Sequence, residues 1–385
     1  MVKRLVLEKA DRLYHLPSVI DEFLPGRRRL KSVTRHDLID LARFNWQGAE
    51  PRPPVDSQNC DVVKLCQATA TWYTNRFGGR LNPKKEIFIG GSIRQIINLL
   101  ALVYFNPGDV VLIPDPGIWH YRAAAALASA ETVPYHLFER NNYKPAIQAL
   151  ADNKSRLAKA MFLNSPQNPT GQKFTPDDLG ELLHLAGREN LMLILDQAFE
   201  GLVDGDNRAS AFALPGGRKV CVELYSYGYN FGQSSPAPAF AVGQPAIISA
   251  LNQAAYVFGL LPTSEHITRA LTACEHQNDI ELLKPRFAER RKLAEQLCAK
   301  LRLIPAPHNI GPFFWAKLPG RKQSQRFCRR LYLRCGILAV PGIAFGENGE
   351  GYIRMSLTAS TDDYKKAIAA ADKLILSTQR KKSHG

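Results

Sequence analysis

No stretch of the 385-residue chain approaches the roughly 20 consecutive apolar residues that a helix needs to cross a bilayer. The first fifteen residues mix Lys, Arg, Glu and Asp with their leucines, where a secretory signal would carry an unbroken apolar core. The sequence therefore predicts a cytoplasmic protein without membrane contact. It has no Cys-x-x-Cys pair, and its seven cysteines (Cys60, Cys66, Cys221, Cys274, Cys298, Cys328 and Cys335) are odd in number and dispersed through apolar or helical contexts. That distribution argues against a disulfide framework and against any metal site. Internal repeats, low-complexity tracts, zinc fingers, aromatic RNA-binding motifs and helix-turn-helix patterns are also missing. The formal charge of +15 is weakly clustered, in short runs such as Arg27-Arg28-Arg29, Arg329-Arg330 and Arg380-Lys381-Lys382. Such runs read as solvated surface, so no specific nucleic-acid partner is expected.

What is present is an ordinary globular composition, 45% hydrophobic and 22% charged, in a chain long enough for one large core and a smaller one. From about residue 85 short apolar runs alternate with longer periodic ones, the mark of βαβ units and a mainly parallel, doubly wound sheet. Strands are expected at 86–89, 110–113, 158–163, 191–195, 219–225 and 239–242, with helices at 92–105, 177–188 and 246–258. Past about residue 262 the pattern changes to one long helical stretch, 265–300, which Pro285 should bend or restart. Shorter elements follow at 313–317, 323–334, 338–340, 352–356 and 361–377. The expected organisation is an N-terminal arm (1–45, with a helix near 17–22) that contributes to the small domain, a large domain (46–262) and a small α+β domain (263–385).

Asn164-Ser165-Pro166-Gln167-Asn168-Pro169-Thr170-Gly171, directly after a strand, resembles the Asn-Pro-Thr-Gly signature of class I/II aminotransferases of the fold-type I pyridoxal-phosphate family. The resemblance extends to Trp72-Tyr73 with Arg76-Phe77-Gly78, Gly91-Ser92, 106–116, Leu195-Asp196, 223–226, 313–319 and 345–357, in the order found in the subgroup containing LL-diaminopimelate aminotransferase. It implies that Gly91, Ser92, Ile93 and Ser226 occupy phosphate-binding positions and that Asp196 is the partner of the pyridine nitrogen. Asn168 matches the asparagine at the ring oxygen and the substrate carboxylate, and Arg354 matches the arginine that grips that carboxylate bidentately. A homodimer is implied as well.

The sequence departs from the family pattern at several positions. Ungapped alignment of 223–229 through 240–243 places Tyr229 where the family carries its Schiff-base lysine, and a phenol cannot form an imine. Ala237 stands in place of the phosphate arginine, Phe199 in place of the ring-oxygen tyrosine, and Ile118 in place of the stacking aromatic, for which neighbouring Trp119 could partly substitute. A deletion of roughly 20 residues is apparent between Pro54 and Cys60. Charge-assisted contacts are worth on the order of 1.5–3 kcal/mol each, so these losses predict that no cofactor is retained.

Asp196 is then either a catalytic acid or base or a relic held by hydrogen bonds. Tyr229 is either a proton donor or a space-filling replacement. Arg354 is different, because a buried arginine without a counter-ion is expensive and its retention points to a surviving small carboxylate ligand. His120, in the loop after Gly117, reads as a surface or supporting residue. The first functional expectation is a divergent aminotransferase-fold enzyme acting on an amino-acid-like or carboxylate substrate without covalent pyridoxal phosphate. Asn168, Arg354 and Trp119 would bind that substrate, and Asp196 and Tyr229 would handle protons. The alternatives are an inactive scaffold subunit and an enzyme using non-covalent pyridoxamine phosphate.

Overall fold

The computed structural model describes residues 38–42, 61–146, 157–203, 208–232, 237–308, 310–320 and 323–379. The expected helix near residue 17, the first and last basic runs and the shortened segment before Cys60 lie outside the described residues. In chain order the elements begin with β1 (Ile39–Asp40), α1 (Val62–Phe77), β2 (Ile87–Gly90), α2 (Ile93–Tyr104), β3 (Val110–Asp115), α3 (Trp119–Leu127) and β4 (Glu131–His136). There follow β5 (Ala158–Asn164), α4 (Pro176–Glu189), β6 (Met192–Asp196), α5 (Gly217–Val220), β7 (Cys221–Ser226), α6 (Tyr227–Phe231), β8 (Ala239–Val242) and α7 (Pro245–Val257). The remainder comprises α8 (Ser264–Glu275), α9 (Asp279–Leu301), β9 (Ile304–Pro305), β10 (Phe313–Lys317), α10 (Ser324–Cys335), β11 (Ile337–Leu338), β12 (Val340–Pro341), β13 (Tyr352–Ser356) and α11 (Thr361–Gln379).

Strands covered on both faces must be apolar at nearly every position, and β5 shows why its sequence does not alternate. Ala160 and Phe162 enter one core with Ile97, Leu100 and Leu251, while Met161 and Leu163 enter another with Leu179 and Leu182. Helices thus sandwich a seven-stranded sheet of order β2-β8-β7-β6-β5-β3-β4. Its pairs are parallel except where β8 runs antiparallel to β2 and β7. The fold is the mostly parallel α/β architecture that the alternating pattern predicts. A separate antiparallel sheet, β12-β13-β10-β9, packs with α9, α10 and α11. The arm joins that core, since β1 pairs with β11 and Ile39 and Leu41 are buried among its residues.

Local signals set many boundaries. In α4, Thr175 and Asp178 cap each other reciprocally, Pro176 occupies the first turn, and Asn190 ends the helix at φ 53. Other expectations need revision. The 265–300 stretch is two helices, broken where the His276 N–H divides between the Thr272 and Ala273 carbonyls. Pro285 lies inside α9 without ending it. His120, expected in a loop, lies with Trp119 in the first turn of α3. The unforeseen β4 is an edge strand containing Pro134 and exposed at several positions, so it has no core-strand pattern. The segment at 338–340 divides between β11 and β12.

The β3–α3 turn depends on the glycine at 117. A Cβ there would stand 2.4 Å from the Pro114 carbonyl oxygen, whereas the Gly117 N–H donates to the Phe345 carbonyl at 2.8 Å and ties the two sheets together. Gly117→Ala is expected to destabilise the protein by about 1–3 kcal/mol in urea melts. Gly180→Ala, on an exposed face of α4 with nothing near the new Cβ, should be neutral or stabilising.

Candidate active site

The parallel strands end together, and their carboxyl ends carry the polar residues. Asn164 closes β5 opposite Asp196 at the end of β6, and Ser226 closes β7. The Asn164 amide donates to the Asp196 carbonyl at 2.9 Å, and its oxygen accepts from the Asn168 N–H at 2.7 Å. Asn164 therefore fixes the Asn-Pro-Thr-Gly loop against the Asp196 strand. Sequence reading singled out only Asn168, although Asn164 lies in the same motif.

Asp196 is 3% exposed. Its carboxylate accepts from the Tyr121 hydroxyl at 2.9 Å and the Ala198 N–H at 3.0 Å. Burial pushes its carboxyl up to about 6, with those two hydrogen bonds acting in the opposite direction. Tyr121 was not anticipated as a partner, because only the helical start of α3 turns it back onto β6.

Arg354, in β13, is 8% exposed. Nη1 donates to Asn168 Oδ1 at 3.0 Å and Nη2 to the Ala42 carbonyl at 3.3 Å, while Nε is buried without a hydrogen-bond partner. The guanidinium lies 4.2 Å from the Phe313 ring centroid and 4.9 Å from that of Phe345. Burial pushes its pKa down to about 9. Among the described residues it forms no ion pair, so a desolvated cation faces neutral oxygens and two aromatic rings. Phe313 and Phe345 belonged to recognised sequence blocks, but their apolar character gave no hint of a role at a charge.

Tyr229 is the third residue of α6, after the Ser226 cap, and its ring packs 5.3 Å from Phe199. Phe199 lies 5.5 Å from Phe313, and Ile93 joins the same cluster. This cluster links Tyr229 and Ile93 to the ring that faces Arg354. Ser92 caps α2 by accepting from the Gln95 N–H at 3.2 Å, and the Gly91 N–H donates to the Gln95 side chain at 2.6 Å. Trp119 is placed differently. Its ring lies 3.9 Å from that of His120, tilted by 43°, and no described contact joins it to Asn168 or Arg354. His120 is driven by burial to a pKa of about 3 and is neutral at pH 7.

The family model described as aminotransferase class I and II matches residues 56–371. The chain belongs to that family. It is 31% identical over 307 residues to LL-diaminopimelate aminotransferase of Halothermothrix orenii, covering 78% of each chain. The same enzyme of Aquifex aeolicus is 27% identical over 389 residues, 96% of this chain and 99% of the relative. Substrate-bound BacF of Bacillus subtilis superposes with a TM-score of 0.80 at 26% identity, covering 96% of this chain and 98% of that one. The chain is thus an aminotransferase-family enzyme of fold-type I architecture.

These relationships correct the expectation that no cofactor is used. For a member of this family with LL-diaminopimelate aminotransferase relatives, pyridoxal phosphate is the expected cofactor. The chemistry that remains fits the ring and its phosphate. Asp196 is a buried carboxyl able to pair with a protonated ring nitrogen, Asn168 supplies an amide, and the Ser92-capped start of α2 offers first-turn N–H groups to an anion.

Asp196 generates a pH signature. Its folded-state pKa is raised, so its share of stability is present below about pH 4 and is lost as pH rises through about 6. Without added ligand, the stability of Asp196→Asn relative to the native protein should increase by about 2–3 kcal/mol between pH 3.5 and 7.5. A difference that stays constant across this range would contradict the assignment.

Proposed function

We propose that this aminotransferase-family enzyme acts on an amino-acid-like carboxylate substrate, with the family cofactor held without a covalent bond at position 229. The observation that carries the reading is the buried Arg354 guanidinium, hydrogen-bonded to Asn168 and lacking an anionic partner among the described residues. A carboxylate placed there would neutralise a charge that burial otherwise makes costly. Pyridoxal or pyridoxamine phosphate, when bound, supplies an electron sink and a carrier for an amino group. Within this reading Asp196 holds a proton at the ring nitrogen, and Gly91, Ser92, Ile93 and Ser226 surround the phosphate. Asn168 and Arg354 orient the substrate, and Trp119 forms a more distant wall. Tyr229 handles a proton at its hydroxyl in place of the amine that a lysine would offer. The same reading divides the chain into an arm to residue 45, a large domain to 262 and a small domain beyond.

Calorimetric titration with amino acids and keto acids, with and without pyridoxal or pyridoxamine phosphate, tests this site. Arg354→Ala should weaken carboxylate binding by about 2–5 kcal/mol. Borohydride after incubation with pyridoxal phosphate should leave no adduct at residue 229. Unchanged binding in Arg354→Ala, or a trapped adduct at 229, would refute the proposal.

We further propose a second copy of this chain as partner. Aminotransferases are commonly dimers, and Tyr256, Val257, Phe258 and Leu261 are 75%, 69%, 53% and 49% exposed at and beyond the end of α7. Apolar residues grouped in this way mark an association surface. Sedimentation should give twice the mass of one chain, and Tyr256→Glu combined with Phe258→Glu should shift it towards the monomer. A monomer at micromolar concentration would exclude the dimer.

A further inference from the structure

A second cleft, of about 250 Å³, opens between the turn after β6 and helix α9. Leu202, Val203, Phe287 and Ile310 make its walls apolar, and two cations reach it. The Lys284 ammonium is 2.7 Å from Glu281 Oε1, whereas Arg291 forms no ion pair among the described residues. Arg291 Nη2 donates to the Gly311 carbonyl at 3.2 Å, and its Nε is buried with no hydrogen-bond partner. Burial holds the guanidinium below its ordinary pKa, the sign of a desolvated cation. Gly311 leaves the cleft close to the candidate active site, since a Cβ there would stand 3.6 Å from Pro166 and 3.9 Å from Phe199.

We propose that this cleft binds a small monocarboxylate with an apolar body, its charge on Arg291 and its body against Leu202, Val203 and Phe287. The volume holds about eight groups of water size at roughly 30 Å³ each, close to the bulk of benzoate. One guanidinium with an unused N–H suits a carboxylate, and the other cation at the cleft, Lys284, is already paired with Glu281, which disfavours a phosphate dianion. The site requires nothing of the aminotransferase chemistry, because Arg291 and Arg354 stand on different elements and hold different carbonyls.

The test is calorimetry with benzoate, benzamide and inorganic phosphate in an Arg354→Ala background, which removes the carboxylate site proposed above. One equivalent of benzoate should still bind, while benzamide and phosphate should bind at least about tenfold more weakly. Adding Arg291→Gln should weaken benzoate by about tenfold or more. Ala288→Trp, which fills the cleft from an exposed position, should abolish binding without lowering the melting temperature. Loss of all benzoate binding in Arg354→Ala alone would overturn the cleft while leaving the active-site reading intact. Benzoate binding that survives both Arg291→Gln and Ala288→Trp, or phosphate binding as tight as benzoate, would also overturn it.

Discussion

A guanidinium buried without a counter-ion among the described residues is the constraint around which this structure closes. Although its Nε has no hydrogen-bond partner, the other N–H groups and the faces of the Arg354 guanidinium are covered, and each covering group comes from a different part of the chain. Asn168 comes from the loop after β5, the Ala42 carbonyl from the arm, Phe313 from β10 and Phe345 from the turn before β13. The Gly117 N–H holds the Phe345 carbonyl, so the end of β3 also belongs to this shell. Two sheets and an extended arm therefore meet at one charge.

A second polar layer lies along the neighbouring strands. Glu223, fully buried in β7, accepts from the hydroxyls of Tyr73, Ser210 and Tyr225 and from the Phe212 N–H. Four donors offset much of the cost of burying one carboxyl, yet burial still raises its pKa. Two strands away Asn164 spans from Asp196 to Asn168. Networks of this kind stiffen the carboxyl edge of the sheet, where irregular loops would otherwise set the site.

Two consecutive arginines of α9 extend this organisation into the small sheet. Arg290 donates to the Leu357 carbonyl just past β13, and Arg291 donates to the Gly311 carbonyl just before β10. The strands bearing Arg354 and Phe313 are each held from one helix. The cleft beside Arg291 adjoins this support and touches the back of the Phe199 region through Gly311.

The sequence by itself determined the sheet architecture and the family, because apolar periodicity and the Asn-Pro-Thr-Gly run are local signals. It also identified Arg354, Asn168 and Asp196 as retained polar residues. The status of the cofactor was misread, since substitutions at Tyr229, Phe199 and Ala237 are visible one by one while the fit of the remaining groups is not. Tertiary structure alone decided that Tyr121 caps the Asp196 carboxylate, that Phe313 and Phe345 lie against Arg354, and that Trp119 turns towards His120. The Tyr121–Asp196 contact joins residues 75 positions apart. An aromatic or a glycine has the same local preferences wherever it stands, and only packing fixes which charge, carbonyl or ring it will face.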